Sequence, residues 1–363
     1  YYQFTAGSVR SKVGRFKTAP AKQADVSQLK FAFISCQDWS INHWAGYSEL
    51  AKSDDLDFFI HLGDYIYETV GEAFQTGLVE SRHTALNLPN GTYKNGTSGA
   101  KYATTLSDYR YLYKQYRTDS RLQAVHERFA MIAIWDDHDY GPNDSDRGFW
   151  TKNLTLEAFK TFWGNPNYIF ENEGITGTFM WNDCQFFLLD DRWWRSPNHS
   201  KEPHPDYFGE KQVKWLMDAL TTSQAPFKFV IAGGQVINPA KIFENYANYE
   251  EERNQLLKAI TDAKIPGVMF ISGDRHHSVL MKLDRPGAYP LYDLTISPLT
   301  SGPGKPVKEE ENTIQVDGTL VTERNFATLE ITGKRTDRVL KISVFGTKGD
   351  LKWTKEIKAN ELK

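Results

Sequence analysis

The sequence predicts an α/β fold on the basis of two patterns. Six short apolar runs, rich in strand-forming residues, each stop at polar or acidic residues, as buried strands often do. Helical patterns lie between several of these runs, and strands that alternate with helices indicate an α/β architecture. Because sites in such sheets form beyond the carboxyl ends of the strands, the polar residues after each run are the first candidates for function.

The predicted elements follow from these patterns along the chain. The six strands cover residues 31–35, 58–62, 131–135, 186–189, 227–232 and 268–271. Two helical faces lie between them, one formed by Tyr109, Leu112, Tyr113 and Tyr116, the other by Val213, Leu216, Met217 and Leu220. Residues 320–358 instead contain alternating apolar and polar side chains, which predicts antiparallel strands that close the fold.

The chain is expected to form an N-terminal arm followed by one domain. Residues 1–30 are polar and weakly periodic, so we expect them to lie on the surface, and residues 31–363 form the single domain. Within it, residues 70–104 are rich in Gly, Asn and Thr and form a long surface excursion, either a rim of the site or a mobile loop. Residues 299–318 are a second loop of this kind.

The overall composition argues against several classes of function. The formal net charge of the 363 residues is only −3, so we expect no specific nucleic-acid recognition. No apolar run approaches the roughly 20 residues that span a bilayer, which predicts no transmembrane segment. No signal peptide is visible from Tyr1 onwards. Apolar residues make up 40% of the chain, which is enough for a hydrophobic core.

Three strand ends carry acidic groups that could bind metal ions. Asp64 follows the second strand, residues 136–139 (Asp-Asp-His-Asp) follow the third, and Asp274 and His276 follow the last. Each has an ordinary alternative, since Asp64 can cap a helix, the acidic run can be a solvated turn, and the last pair can be a polar loop. Cys36, after the first strand, can be an inert buried thiol. Together, however, they supply the thiolate, carboxylates and imidazole that a binuclear metal site requires.

The motifs at these strand ends resemble the signature of the PhoD-type alkaline phosphatases, a divergent branch of the metallophosphoesterases. The run from His61 to Glu68 is the longest and most specific, and the matching segments follow the family's order: residues 35–37, 61–68, 135–138 and 273–276. The resemblance implies a four-layer α/β/β/α sandwich that makes residues 31–363 a catalytic domain. It also implies a secreted or periplasmic location, and phosphodiesterase and phosphomonoesterase activity with one Fe(III) and calcium.

The resemblance implies six metal ligands: Cys36, Asp64, Tyr67, Asp137, Asp274 and His276. Among them, Asp64 matches the Asp that bridges the metals, and Tyr67 matches the family's phenolate ligand. Cys36 stands where other metallophosphoesterases begin their Asp-x-His motif. Asp274 and His276 match the closing Gly-His-x-His motif, with Asp274 in the place of its first His.

Three further residues are candidates for contact with a phosphate ester. His138 matches the His beside the leaving group and could protonate the leaving alkoxide. Arg192 could pair with a phosphate oxygen, although a structural ion pair is an equal alternative. Asn143 could bind a metal or the substrate. The segment around it departs from the family, many of whose members have a Glu and an Asn pair soon after the equivalent of His138.

The chemistry of the ligands agrees with iron and calcium. Cys36 and Tyr67 are anionic, strongly donating ligands that favour the ferric state, and together with an imidazole they prefer a transition metal. Asp137 and Asp274 offer only hard oxygens, which suit Ca²⁺. Asp64 would join the two sites, and the metals would bind the phosphate oxygens and an activated oxygen nucleophile.

Two other classes of function stay open at the level of the sequence. The Trp content and the many carboxylates fit a glycoside hydrolase, but no isolated pair of carboxylates stands out, and such an enzyme has no use for Cys or His ligands. A non-catalytic, calcium-stabilised binding protein would use residues 70–104 as a recognition loop. Both are alternatives to a phosphoesterase.

Overall fold

Seventeen strands and seven helices account for most of the secondary structure in the described part of the chain. The structure, a computed structural model, describes residues 1–21, 23–40, 44–72, 83, 85–310 and 314–363. The strands are β1 (Thr5–Ala6), β2 (Val9–Arg10), β3 (Gln28–Ile34), β4 (Phe58–Leu62), β5 (Thr69–Val70), β6 (Thr92–Tyr93), β7 (Lys101–Tyr102), β8 (Ala130–Ile134), β9 (Gly177–Trp181), β10 (Cys184–Leu188), β11 (Lys228–Ile231), β12 (Val268–Ser272), β13 (Val279–Arg285), β14 (Ala288–Thr295), β15 (Asn325–Thr332), β16 (Val339–Gly346) and β17 (Leu351–Lys358). The helices are α1 (Ala45–Ala51), α2 (Leu106–Tyr116), α3 (Ser120–His126), α4 (Asp137–Tyr140), α5 (Lys152–Phe162), α6 (Glu210–Thr222) and α7 (Glu250–Asp262).

Two six-stranded mixed sheets form the centre of the protein. The first sheet has the order β17-β16-β15-β3-β4-β8, in which β3, β4 and β8 are parallel and the other three are antiparallel. The second has the order β13-β14-β12-β11-β10-β9, in which β10, β11, β12 and β14 are parallel. The six predicted strands correspond to β3, β4, β8, β10, β11 and β12; the ends of β4 agree with the prediction, and those of the others differ by up to three residues. The α/β class is therefore confirmed.

Aromatic side chains join the two sheets. The ring of Phe31 in β3 lies 5.1 Å from that of Phe186 in β10 and 5.6 Å from that of Phe229 in β11. Phe58 in β4 contacts Phe186 at 5.4 Å and Trp181 in β9 at 4.6 Å. Because the inner faces of the sheets pack on each other, the helices that connect parallel strands cover the outer faces. This is the α/β/β/α layering that the resemblance implies.

The loops that follow the parallel strands are joined by backbone hydrogen bonds at one edge of this sandwich. Cys36 N donates to Gly63 O at 3.2 Å, which links the loops after β3 and β4. Leu299 N donates to Ser35 O at 2.8 Å, and Ser301 N donates to Cys36 O at 3.1 Å, which links the loop after β14 to the first sheet. The strand ends of both sheets therefore contribute to one surface, as expected for the carboxyl edge of parallel sheets.

The segments outside the sheets have varied structures. Residues 1–13 are mostly exposed and contain the small antiparallel pair of β1 and β2. The described part of the 70–104 excursion contains β6 and β7, and β7 pairs with both β5 and β6 in a three-stranded sheet, whereas residues 73–82 and 84 lie outside the described part of the chain. Within residues 320–358, β15, β16 and β17 are antiparallel, as predicted. None of the helices in the described ranges is long and apolar enough to cross a membrane.

Candidate metal centre and active site

Four residues at the strand ends have a backbone conformation that residues other than glycine rarely adopt. Cys36, Asp64, Asp274 and His276 have φ angles of 53°, 54°, 65° and 55°. This left-handed conformation costs about 1–2 kcal/mol for a residue with a Cβ atom. Such strain persists where the surrounding structure fixes it, and it is concentrated at functional sites. All four residues are among the six metal ligands that the family resemblance implies.

A first group of donor atoms surrounds the Cys36 thiol, which is not in a disulfide. Cys36, Asp64 and His276 each offer a ligand atom, and these atoms lie within 4.8 Å of one another. The Tyr67 hydroxyl is 3.3 Å from Asp64 Oδ2 and 3.4 Å from His276 Nε2, so it belongs to the same group. His276 Nδ1 donates to the carbonyl oxygen of Gly302 at 2.6 Å, which leaves Nε2 free to bind a cation.

A second group of donor atoms shares Asp64 with the first. Asp64, Asp137 and His138 also have ligand atoms within 4.8 Å of one another. No donor among the described residues reaches Asp64 Oδ1, although this atom is buried. Asp274 lines the same cleft, and burial together with the charges of Glu244 and Asp137 raises its pKa to about 7. Asp64 therefore stands between two donor groups, as a bridging ligand would.

The electrostatics of these groups fit a cation. Burial raises the pKa of the Cys36 thiol to about 12, although Ser297 and Ser35 donate hydrogen bonds to its Sγ at 3.1 and 3.3 Å. Burial and the charges of Cys36 and Asp137 raise the pKa of Asp64 well above its ordinary value. A bound cation reverses both effects because it stabilises the ionised ligands. The residues present therefore fit a metal centre.

The imidazole of His138 is held by two neighbours. Its Nδ1 lies 2.7 Å from Glu68 Oε2, and its ring stacks on Tyr67 with the centroids 4.2 Å apart. Burial lowers the pKa of His138, but the charges of Asp137, Glu68 and Asp64 outweigh burial and raise the pKa well above its ordinary value. Glu68 lies outside both donor groups and accepts a hydrogen bond from the imidazole, which favours its protonated form and suits His138 to act as a general acid.

Arg192 lies in a buried network of ion pairs. Its Nε is 2.7 Å from Asp136 Oδ1 and its Nη1 is 2.7 Å from Glu244 Oε2, while Arg195 Nη2 is 3.0 Å from the same Glu244 oxygen. The Arg192 side chain is fully buried and is not among the residues that line the cleft. The geometry therefore favours the structural ion pair over the phosphate contact. Asp136, Asp137 and Glu244 also have ligand atoms within 4.8 Å of one another. Arg192 already compensates the charges of Asp136 and Glu244, so these two carboxylates do not need a metal ion as a counter-charge.

A cleft of about 1040 Å³ gives access to the donor groups. Asp64, Tyr67, Asp137 and His138 line it, and Asn143 lies exposed at its edge. Its other walls come from the excursion and from the loops of the second sheet, including Thr69, Glu72, Lys94, Tyr102, Phe243, Glu244, Arg275, Ser301, Gly304 and Lys305. The described residues of the excursion thus contribute to the rim of the cleft.

Sequence reasoning assigned no role to several residues of this site. Glu68 is the last residue of the most specific motif, but nothing in the sequence indicates that it contacts His138. Ser297 and Ser301 follow β14, a strand that was not predicted, and Ser301 Oγ donates to the Tyr67 hydroxyl at 2.9 Å. Glu244 lies in a loop and not at the end of a predicted strand, so the pattern of polar residues after strands could not indicate it.

Comparisons with known proteins identify the family of this chain. Residues 31–336 match the family described as PhoD-like phosphatase. Alkaline phosphatase D of Bacillus subtilis (strain 168) is 27% identical over 318 residues, which cover 77% of this chain and 51% of that protein, so the chain spans about half the length of this relative. A solved structure of PhoD has a TM-score of 0.75 at 22% identity and covers 98% of this chain and 76% of that one, which confirms the fold. Since the match extends over most of its residues, the chain belongs to the PhoD-like phosphatase family.

Proposed function

We propose that this protein is a metal-dependent phosphoesterase that hydrolyses phosphodiesters, phosphomonoesters or both. The observation that carries the proposal is the pair of donor groups that share Asp64 beside an open cleft. The family assignment supports a phosphoric ester hydrolase and argues against a glycoside hydrolase. We also propose that residues 31–363 act as one catalytic domain, with residues 1–30 as an arm, and that the protein is secreted or periplasmic.

The donor chemistry supports two kinds of metal ion. Cys36, Tyr67 and His276 would hold Fe(III), because thiolate, phenolate and imidazole prefer a transition metal. Asp137 and Asp274 would hold Ca²⁺, because it prefers carboxylate oxygens. Asp64 would contribute to both sites. When bound, such ions polarise phosphate oxygens and lower the pKa of a coordinated water.

The chain's own residues supply the remaining chemistry. His138, protonated at the nitrogen that is not held by Glu68, would donate a proton to the leaving oxygen as the ester bond breaks. Glu68 is a positioning residue, since it fixes the imidazole and stabilises its positive charge. Asn143, exposed at the edge of the cleft, can contact the phosphate or its substituent. Arg192 acts indirectly, because its ion pairs hold the loop that carries Asp136 and the neighbouring ligand Asp137.

Removal of the metals should abolish turnover. We expect purified protein to hydrolyse an aryl phosphate monoester, an aryl phosphodiester or both, to lose this activity after chelation, and to regain it when calcium and iron are returned. Rates should be measured on both esters with metal content determined in parallel. Calcium binding without any turnover would instead support the non-catalytic binding protein, and full activity in metal-free protein would contradict the proposal.

A further inference from the structure

An exposed aromatic side chain, Phe243, stands in the wall of the cleft without a role in the chemistry described above. Its side chain is 58% exposed, although large apolar residues are usually buried. Its φ angle of 45° is a conformation that bulky residues rarely adopt. The loop maintains this conformation through side-chain hydrogen bonds, since Asn248 Nδ2 donates to Phe243 O at 2.8 Å and Asn245 Nδ2 donates to Ala240 O at 3.1 Å.

The ring of Phe243 is connected to the metal-binding residues from two sides. Its neighbour in sequence is Glu244, whose carboxylate lies within 4.8 Å of that of Asp137. One face of the ring contacts the Arg275 guanidinium, 4.7 Å from its centroid. Arg275 lies between the proposed ligands Asp274 and His276, so the ring has a defined position relative to the centre.

The Arg275 guanidinium is itself fixed, which makes it a rigid support for the ring. Its Nη1 donates to Asn245 Oδ1 at 3.0 Å, and its Nη2 donates to Glu310 Oε2 at 3.0 Å. The side chain is only 6% exposed. A guanidinium under an aromatic ring is a favourable cation–π contact, and it restricts the ring to one orientation at low entropic cost.

We infer that Phe243 forms a stacking subsite for a planar ring in the alcohol part of the substrate, and that this alcohol is a nucleoside. The enzyme then prefers phosphate esters of nucleosides over esters of aliphatic alcohols such as glycerol. This inference rests on the proposed phosphoesterase activity. The exposed part of the ring can stack with a base while the phosphate lies at the shared Asp64 centre. An aromatic side chain can stack on any of the bases, and this stacking does not need hydrogen bonds from the protein.

Three esters of primary alcohols test this inference, because their leaving groups are chemically similar. Methyl phosphodiesters of the adenosine 5′-hydroxyl, of 2-phenylethanol and of glycerol would be compared by kcat/KM in the metal-loaded enzyme. We expect wild type to prefer the adenosine ester, and we expect Phe243→Ala to reduce the adenosine-to-glycerol ratio by about tenfold, mainly through KM, as loss of one stacking contact predicts. Phe243→Trp should keep the preference. A similar loss for the phenylethyl ester would indicate recognition of any flat ring, and a loss for adenosine alone would indicate nucleoside recognition.

A matched control and a binding measurement keep the test decisive. Trp150→Ala removes another exposed aromatic residue, 74% exposed and outside the cleft, and should leave the ratio unchanged. An adenosine-to-glycerol ratio in Phe243→Ala equal to that of wild type would overturn the inference. If wild type hydrolyses none of these three diesters and no phosphate monoester either, the proposed function fails instead. The subsite is then judged by NMR saturation transfer to free adenosine, where a signal equal in wild type and Phe243→Ala would refute it.

Discussion

Replacement of Asp64 by Ala is expected to remove both metals and to lower kcat/KM by on the order of 10³-fold or more. Loss of a single group that stabilises charge in the transition state has an effect of about this size. The reason is the position of the carboxylate in both donor groups, with Cys36 and His276 on one side and Asp137 and His138 on the other. Loss of a shared ligand weakens both sites at once. The measurement is metal content per chain together with kcat/KM.

Two companion variants separate this effect from a loss of folding. Asp64 has a φ angle of 54°, which Asn tolerates better than Ala, so Asp64→Asn should keep the backbone and still lose metal. Asp137→Ala removes a ligand of one group only, so it should lose mainly calcium and retain iron. Full occupancy of both metals in Asp64→Ala or Asp64→Asn would mean that this residue does not bridge them.

Replacement of His138 by Ala is expected to leave the metals in place and to slow hydrolysis by about 10²–10⁴-fold for an alkyl ester, the range typical of general acid catalysis. The loss should be smaller for an aryl ester, because a good leaving group departs without a proton. His138 shares a donor group with Asp64, so metal content must be determined for the same preparations. Equal losses on the two esters would show that His138 is not the acid.

Glu68 provides a matched test of how the acid is held. Its carboxylate accepts from His138 Nδ1 at 2.7 Å and raises the pKa of that imidazole together with Asp137. Glu68→Gln should therefore slow the alkyl ester more than the aryl ester, in the same direction as His138→Ala but by less. An unchanged ratio between the two esters in Glu68→Gln would remove Glu68 from this role.

The strands could be predicted where they form continuous apolar runs or alternate regularly, and they were missed where charged residues or proline interrupt the pattern. β4 matches the prediction at both ends because all five of its residues are buried. β13 and β14 were not predicted, since Lys282, Asp284 and Arg285 interrupt the apolar pattern of the first and Pro290 lies within the second. In β17, an edge strand, Leu351 is exposed, although the alternating pattern places it among the apolar side chains.

The site was predictable to the extent that its residues follow predicted strands. Cys36, Asp64 and His276 lie within four residues of the ends of β3, β4 and β12, and the structure brings them together. Residues supplied by loops could not be inferred in this way. Glu244 and Phe243 lie in such a loop, and their place beside the cleft depends on tertiary contacts with Arg192 and Arg275, which no local pattern encodes.

The visible absorption spectrum of the purified protein, recorded with its iron content, tests the metal centre most directly. Thiolate and phenolate bound to Fe(III) give charge-transfer absorption, so the protein should be coloured and should contain iron. Cys36→Ser and Tyr67→Phe should each change or abolish the band, since these two side chains belong to one donor group. A colourless, iron-free preparation with full phosphoesterase activity would contradict the iron centre built on Cys36 and Tyr67.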